Sequence, residues 1–84
     1  MRTKQEVWWT EAYRRASNIC CAGGHPSSER DAEEVKRKLA RLLGGLTRHF
    51  SYDLDASEFC AVCIEAINDA VHDTGWAESV KLTI

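Results

Sequence analysis

The chain has 84 residues, of which 44% are hydrophobic and 29% charged, with a single proline. This composition excludes a disordered chain, and the length allows one helical domain over residues 1–84, close to the lower limit at which a core is sufficient without staples, metal or a partner. The net charge of −2 conceals ten basic and six acidic residues in 1–50 against one basic and seven acidic residues in 51–84, a polarity that disfavours general nucleic-acid binding.

The N-terminal residues lead into two tryptophans without the apolar run of a signal peptide, and no stretch approaches transmembrane length. We therefore expect a cytoplasmic protein with no membrane partner, in which the thiols stay reduced.

The first segment predicts a helix over residues 3–22. Thr3 and Glu6 have the spacing of a capping box, and Gly23-Gly24 follows as a stop signal. At 100° per residue the apolar side chains share one face. That face comprises Trp8, Trp9, Ala12, Ala16, Ile19 and Cys20, with Tyr13 at its margin. Its two alanines lie one turn apart and leave room for another helix, from this chain or another, to approach closely.

The second segment predicts one helix over residues 28–50. Its apolar residues recur at steps of four, three, four and four, namely at Val35, Leu39, Leu42, Leu46 and Phe50. This helical spacing crosses Gly44-Gly45, where each glycine costs about 1 kcal/mol against alanine. An alternative ends the helix at Leu43 and makes residues 46–54 a strand.

The third segment predicts a helix over residues 55–74, followed by Gly75 at the position that glycine favours after a helix. Its apolar face contains Phe59, Cys60, Val62, Cys63, Ala66, Ile67, Ala70 and Val71. The tail, residues 76–84, alternates apolar and polar residues as a strand does. The sequence thus predicts an all-α, three-helix domain with a strand-like C-terminal tail. The alternative is an α+β fold with a short β-hairpin from 46–54 and 78–84.

The four cysteines allow three interpretations, namely core thiols, a zinc site, or disulfide and redox use. Cys20, His25, Cys60 and Cys63 could form a structural zinc site, which would stabilise a small core. Both cysteines of the third segment nevertheless lie on its apolar face, where a free thiol behaves as a small hydrophobic group. We favour core thiols and expect no metal or other cofactor.

Acidic residues align on the outer face of the third predicted helix, with no basic residue among them; they are Glu58, Glu65, Asp69 and Asp73. Unpaired carboxylates of this kind can dock on a basic surface, including one that normally holds nucleic acid. Trp8 and Trp9 add candidate anchors, since aromatic residues are enriched at interface centres. The alternative for both tryptophans is that they cover the other two helices.

A basic ridge on the second predicted helix, formed by Arg37, Arg41 and Arg48, is the candidate for phosphate contacts. Its simpler interpretation is a solvated face, because Glu33 lies four residues before Arg37 and Glu34 lies four residues before Lys38.

Two functions fit these patterns. The first is a non-enzymatic protein-protein interaction module, acting as a monomer or a homodimer, that docks its acidic helix face on a larger, nucleic-acid-handling complex. An inhibitor encoded by a phage or other mobile element, of the anti-CRISPR type, would have this size and charge. The second is a zinc-stabilised accessory or regulatory domain that binds nucleic acid through the basic ridge. No catalytic spacing of residues is recognised, and we expect no enzyme.

Overall fold

A computed structural model of the chain describes residues 3–22, 29–50 and 56–83. Three helices, α1 (Lys4–Ala22), α2 (Glu29–His49) and α3 (Ala56–Asp73), precede a 3₁₀ turn at Glu78–Val80. The all-α prediction is confirmed, and each helix end lies within one residue of its predicted position. Within the described ranges, no helix combines the length and apolar character needed to cross a membrane.

Helix α1 begins at its predicted cap. The side-chain oxygen of Thr3 accepts the backbone N–H of Glu6 at 3.2 Å, which satisfies one of the amide groups that the first turn of a helix leaves without a partner. Asp55 and Glu58 have the same capping-box spacing at the start of α3, but Asp55 lies outside the described residues.

Helices α1 and α3 lie side by side and run in the same direction. Trp8, near the start of α1, packs edge-on against Phe59, near the start of α3, with ring centroids 5.2 Å apart. Between the two helices lie four fully buried alanines, Ala12, Ala16, Ala66 and Ala70. Such small side chains let the two helix axes approach closely. The contact between α1 and α3 is accordingly the most extensive one among the described helices. The helix expected on the alanines of α1 is therefore α3 of the same chain.

Helix α2 completes the core with Val35, Leu39 and Leu46, all buried. It continues without interruption across Gly44 and Gly45. The alternative that begins a strand at residue 46 is wrong for residues 46–49, because the apolar residues on both sides of the glycines fall on one helical face. The rest of that alternative, residues 51–54, lies outside the described part of the chain.

The end of α3 is closed by Gly75, as predicted. Its φ of +84° is a left-handed conformation, which glycine adopts without the steric cost of a Cβ. The N–H of Gly75 donates to the carbonyl of His72, and the N–H of Trp76 to that of Val71, both at 3.1 Å, the two bonds of a Schellman motif. The buried Trp76 indole also donates to the Cys20 carbonyl at 3.1 Å. One residue thereby ties the ends of α1 and α3 together.

The strand prediction for the tail is wrong. The backbone is extended at Ala77 and Lys81, but the intervening residues form the 3₁₀ turn. The Asn68 side chain donates to the carbonyl of Leu82 at 2.9 Å and accepts the N–H of Leu82 at 2.8 Å. A side-chain amide thus occupies the backbone groups that a neighbouring strand would bind. The apolar residues alternate because Val80 and Leu82 pack on the core. The β-hairpin alternative requires a strand in this tail and is therefore wrong as well.

Candidate protein-binding face

The four predicted acidic residues form one exposed flank of α3, which we call the acidic flank: Glu58, Glu65, Asp69 and Asp73. Their spacing of seven, four and four residues places them on one side of the helix. Both ends of this flank contact α1. Gln5 donates a hydrogen bond to Glu58, and the hydroxyl of Tyr13 donates to Asp73 at 2.5 Å. The acidic flank therefore borders the α1–α3 contact along its length.

Aromatic rings lie on the α1 side of the same border. Trp9 and Tyr13 are half-buried and stacked, with ring centroids 5.0 Å apart and ring planes inclined by 10°. They follow Gln5 at steps of four residues, so one stripe of α1 runs beside the acidic flank of α3. We call the two rings and the acidic flank together the acidic–aromatic face.

The electrostatics of this face keep Tyr13 protonated. Its hydrogen bond to Asp73 raises the pKa of Tyr13, and partial burial and the charges of Asp73 and Asp69 act in the same direction. Within the described residues, no basic side chain lies within 4.0 Å of Glu65 or Asp69. These two exposed carboxylates are thus open to a cation supplied from outside the chain.

Trp8 is placed differently from Trp9, the other predicted anchor. It is only 5% exposed and belongs to the core beneath the face, because it lies at the centre of the apolar face of α1 whereas Trp9 lies toward its edge. Tyr13, in contrast, was not among the predicted binding residues and joins the face. Its position at the margin of the apolar face, one turn after Trp9, was the available signal.

The cysteines do not assemble the alternative zinc site. Cys20 is near Thr74, which interacts with its thiol, and Thr74 follows Cys63 by eleven residues, about 16 Å along a helix. No group of three potential metal ligands occurs among the described residues, which include Cys20, Cys60 and Cys63; His25 lies outside them. The structure therefore does not bring Cys20, Cys60 and Cys63 together around one metal ion.

The thiols are instead free, and Cys20 and Cys63 are buried as the core interpretation predicts. Burial raises the pKa of the Cys63 thiol to about 12, so the group is protonated and unreactive at neutral pH. Cys60 is half-buried and Cys21 is exposed.

The basic ridge is exposed on α2. No carboxylate of the described residues lies within 4.0 Å of Arg37, Arg41 or Arg48. Among the described residues of α2, the one ion pair joins Lys38 to Glu34 at 3.4 Å. It is one of the two pairs expected from the i,i+4 spacing. Contact of this ridge with phosphates therefore stays a prediction from the sequence.

Comparison with known proteins adds no family to this geometry: no family model, no curated protein and no solved structure matches the chain. Any assignment of function therefore depends on the surfaces themselves.

Proposed function

We propose that the protein is a non-enzymatic binding module that docks its acidic–aromatic face on a basic surface of a larger protein complex. The observation that carries this proposal is that two exposed carboxylates, Glu65 and Asp69, lie beside the stacked rings of Trp9 and Tyr13. Neither carboxylate is paired with a cation of the described residues. Every buried side chain that the structure describes is hydrophobic. The polar and charged side chains that could recognise a ligand or partner therefore lie at the surface or are partly exposed.

The two components of the face have separate tasks in binding. Carboxylates steer a basic partner toward the face and fix its orientation, mainly by raising the association rate. Stacked aromatic rings supply rigid contact area that loses little side-chain entropy, and such rings dominate the binding energy of many interfaces. Because Asp73 and Glu58 are hydrogen-bonded to α1, the face is held in position before the partner arrives.

A basic surface of suitable shape occurs on proteins that handle nucleic acid, where cationic grooves hold phosphates. A module with this face would compete with the nucleic acid for such a groove. We therefore propose an inhibitor acting in the cytoplasm, of the kind that mobile elements encode against CRISPR systems, as the biological setting.

The test is a tagged pull-down from nuclease-treated lysate of the native host, with bound proteins identified by mass spectrometry. We expect the wild-type chain to retain a partner in stoichiometric amount. The variant Glu65→Lys/Asp69→Lys should lose that partner, because it places two cations against a basic surface.

The matched control is Glu34→Lys/Glu78→Lys, which changes the net charge by the same amount but alters α2 and the 3₁₀ turn. It should retain the partner. If both double variants retain the partner equally, the acidic–aromatic face is not the docking site. If the wild-type chain retains nothing after nuclease treatment, the proposed function is wrong.

A further inference from the structure

A second surface feature is a groove between α2 and the C-terminal segment. One part of it, about 400 Å³ in volume, lies among Ala32, Glu33, Lys36, Ser79 and Val80. An adjoining part, about 350 Å³, shares Glu33 and Lys36 and is completed by Arg37, Ala40 and Leu82. Because both parts are lined by Glu33 and Lys36, they lie next to each other along α2, and we call them together the groove. The span from Ala32 to Ala40 along α2 makes it about 12 Å long.

The walls of this groove combine small or apolar side chains with cations. Ala32 and Ala40 on α2 contribute small side chains, and Val80, 1% exposed, and the half-buried Leu82 line the opposite side. Lys36 and Arg37 are exposed at its edge.

The cations at the edge of the groove are not in ion pairs with the described part of the chain. No carboxylate within the described ranges approaches the ammonium of Lys36 or the guanidinium of Arg37 to 4.0 Å. Lys81, nearby in sequence, is in contrast already paired with Glu78 at 2.8 Å. Two cations at an apolar groove are therefore open to anions from a partner.

We propose that this groove binds a short peptide segment of a partner protein in which acidic and apolar residues alternate. A length of about 12 Å accommodates three to four residues of extended chain, at about 3.3 Å per residue. Alternate side chains of an extended peptide point in opposite directions, so leucine-like side chains enter the groove while carboxylates meet Lys36 and Arg37. A guanidinium can accept a carboxylate in bidentate geometry, which favours carboxylate recognition at Arg37.

Nucleic acid is the weaker candidate for the same groove. A phosphate backbone carries anions for Lys36 and Arg37 but has no apolar side chain for the wall of Val80 and Leu82. The carboxylate of Glu33 repels phosphates and peptide carboxylates alike, so the apolar wall is what distinguishes the two ligands. An acidic and apolar peptide uses both components of the groove. The groove lies on α2 and the tail whereas the acidic–aromatic face lies on α1 and α3, so the protein could bridge two partners of opposite charge.

The experiment is a titration of the full-length, isotopically labelled protein with a six-residue peptide of alternating aspartate and leucine, followed by NMR. We expect the backbone amides of Lys36, Arg37, Ser79 and Leu82 to shift, and the indole of Trp9 to stay unchanged. Two comparison peptides separate the components: one with asparagine for aspartate, and one with glycine for leucine. Each should bind at least about fivefold more weakly, since each lacks one of the two interactions.

The variant Arg37→Glu should weaken peptide binding at least about tenfold. Lys38→Glu makes the same change in charge outside the groove and should alter binding less than about twofold. Both positions are exposed, so both variants should fold, which circular dichroism checks.

The proposal is overturned if the amides at the groove do not shift up to about 1 mM peptide, or if the glycine peptide binds as tightly as the leucine peptide. Displacement of the peptide by a single-stranded oligonucleotide that binds more tightly would assign the groove to nucleic acid and would also overturn it. These outcomes do not depend on the acidic–aromatic face, whose partner is detected separately.

Discussion

The α1–α3 pair and helix α2 are built on different packing principles. The pair is joined by buried alanines, and its ends are closed by the Schellman motif at Gly75 and by the Trp76 hydrogen bond to the Cys20 carbonyl. Helix α2 instead contributes a row of larger apolar side chains to the core and has an exposed, charged opposite side with two glycines.

This difference indicates which part of the molecule tolerates change. Close packing of small residues leaves little space for adjustment, so the acidic–aromatic face on the α1–α3 pair has a fixed geometry. Helix α2 has open space around its glycines and exposed charges, and substitutions there should be accommodated or even stabilising.

The largest effect is expected from the two neighbouring tryptophans. Trp8→Ala should lower the free energy of unfolding by about 3–5 kcal/mol, because it leaves a cavity against Phe59 in the core. Trp9→Ala should cost less than about 2 kcal/mol, because Trp9 is only half-buried. Chemical denaturation measures both values. Equal losses would show that the α1–α3 pair does not separate core from face as described.

The next effect concerns the tail. Asn68→Ala should lower the free energy of unfolding by about 1–2 kcal/mol, because the N–H and carbonyl of Leu82 both lose their partner. Asn68→Asp keeps an acceptor for the N–H and should lie between the alanine variant and the wild type. Hydrogen exchange at the Leu82 amide should accelerate in the same order. An unchanged exchange rate in the alanine variant would contradict the amide bridge.

The glycines provide a contrast of opposite sign. Gly44→Ala and Gly45→Ala should each raise the free energy of unfolding by about 0.5–1 kcal/mol, because both positions are helical and, beyond the adjacent backbone of α2, an added Cβ meets no described atom within 4 Å. Gly75→Ala should lower it by about 1 kcal/mol, because φ there is +84°. Thermal melts of the three variants suffice, and destabilisation by the α2 variants would show that the glycines have a packing role.

The smallest effect is a dependence on alkaline pH. The hydrogen bond to Asp73 raises the pKa of Tyr13 in the folded state. The stability that this hydrogen bond contributes is therefore complete below the ordinary tyrosine pKa of about 10 and is lost as pH rises through the raised value. The difference in stability between the wild type and Tyr13→Phe should therefore shrink as pH increases. A difference that stays constant over about pH 8 to 11 would exclude this contact.

The sequence predicted the helices well because caps, glycines and apolar spacing at the ends of α1 and α3 agree with one another. It predicted the tail wrongly because an alternating pattern reports which side chains pack inward and not which group satisfies the backbone; at Leu82 that group is the side chain of Asn68. Charge and spacing identified the acidic flank. The pairing of Tyr13 with Asp73 depends on how α1 and α3 are aligned, which no local pattern in the sequence specifies.

Binding of a partner to the acidic–aromatic face can be observed by NMR with the partner captured in the pull-down. Two of the tryptophans, Trp8 and Trp76, are buried and Trp9 is half-buried, so the three indole N–H signals distinguish the face from the core. We predict that adding the partner shifts the Trp9 indole signal strongly and the amides of Glu65 and Asp69 with it. If the partner binds while these signals stay in place and the amides of α2 shift instead, the acidic–aromatic face is not the binding site.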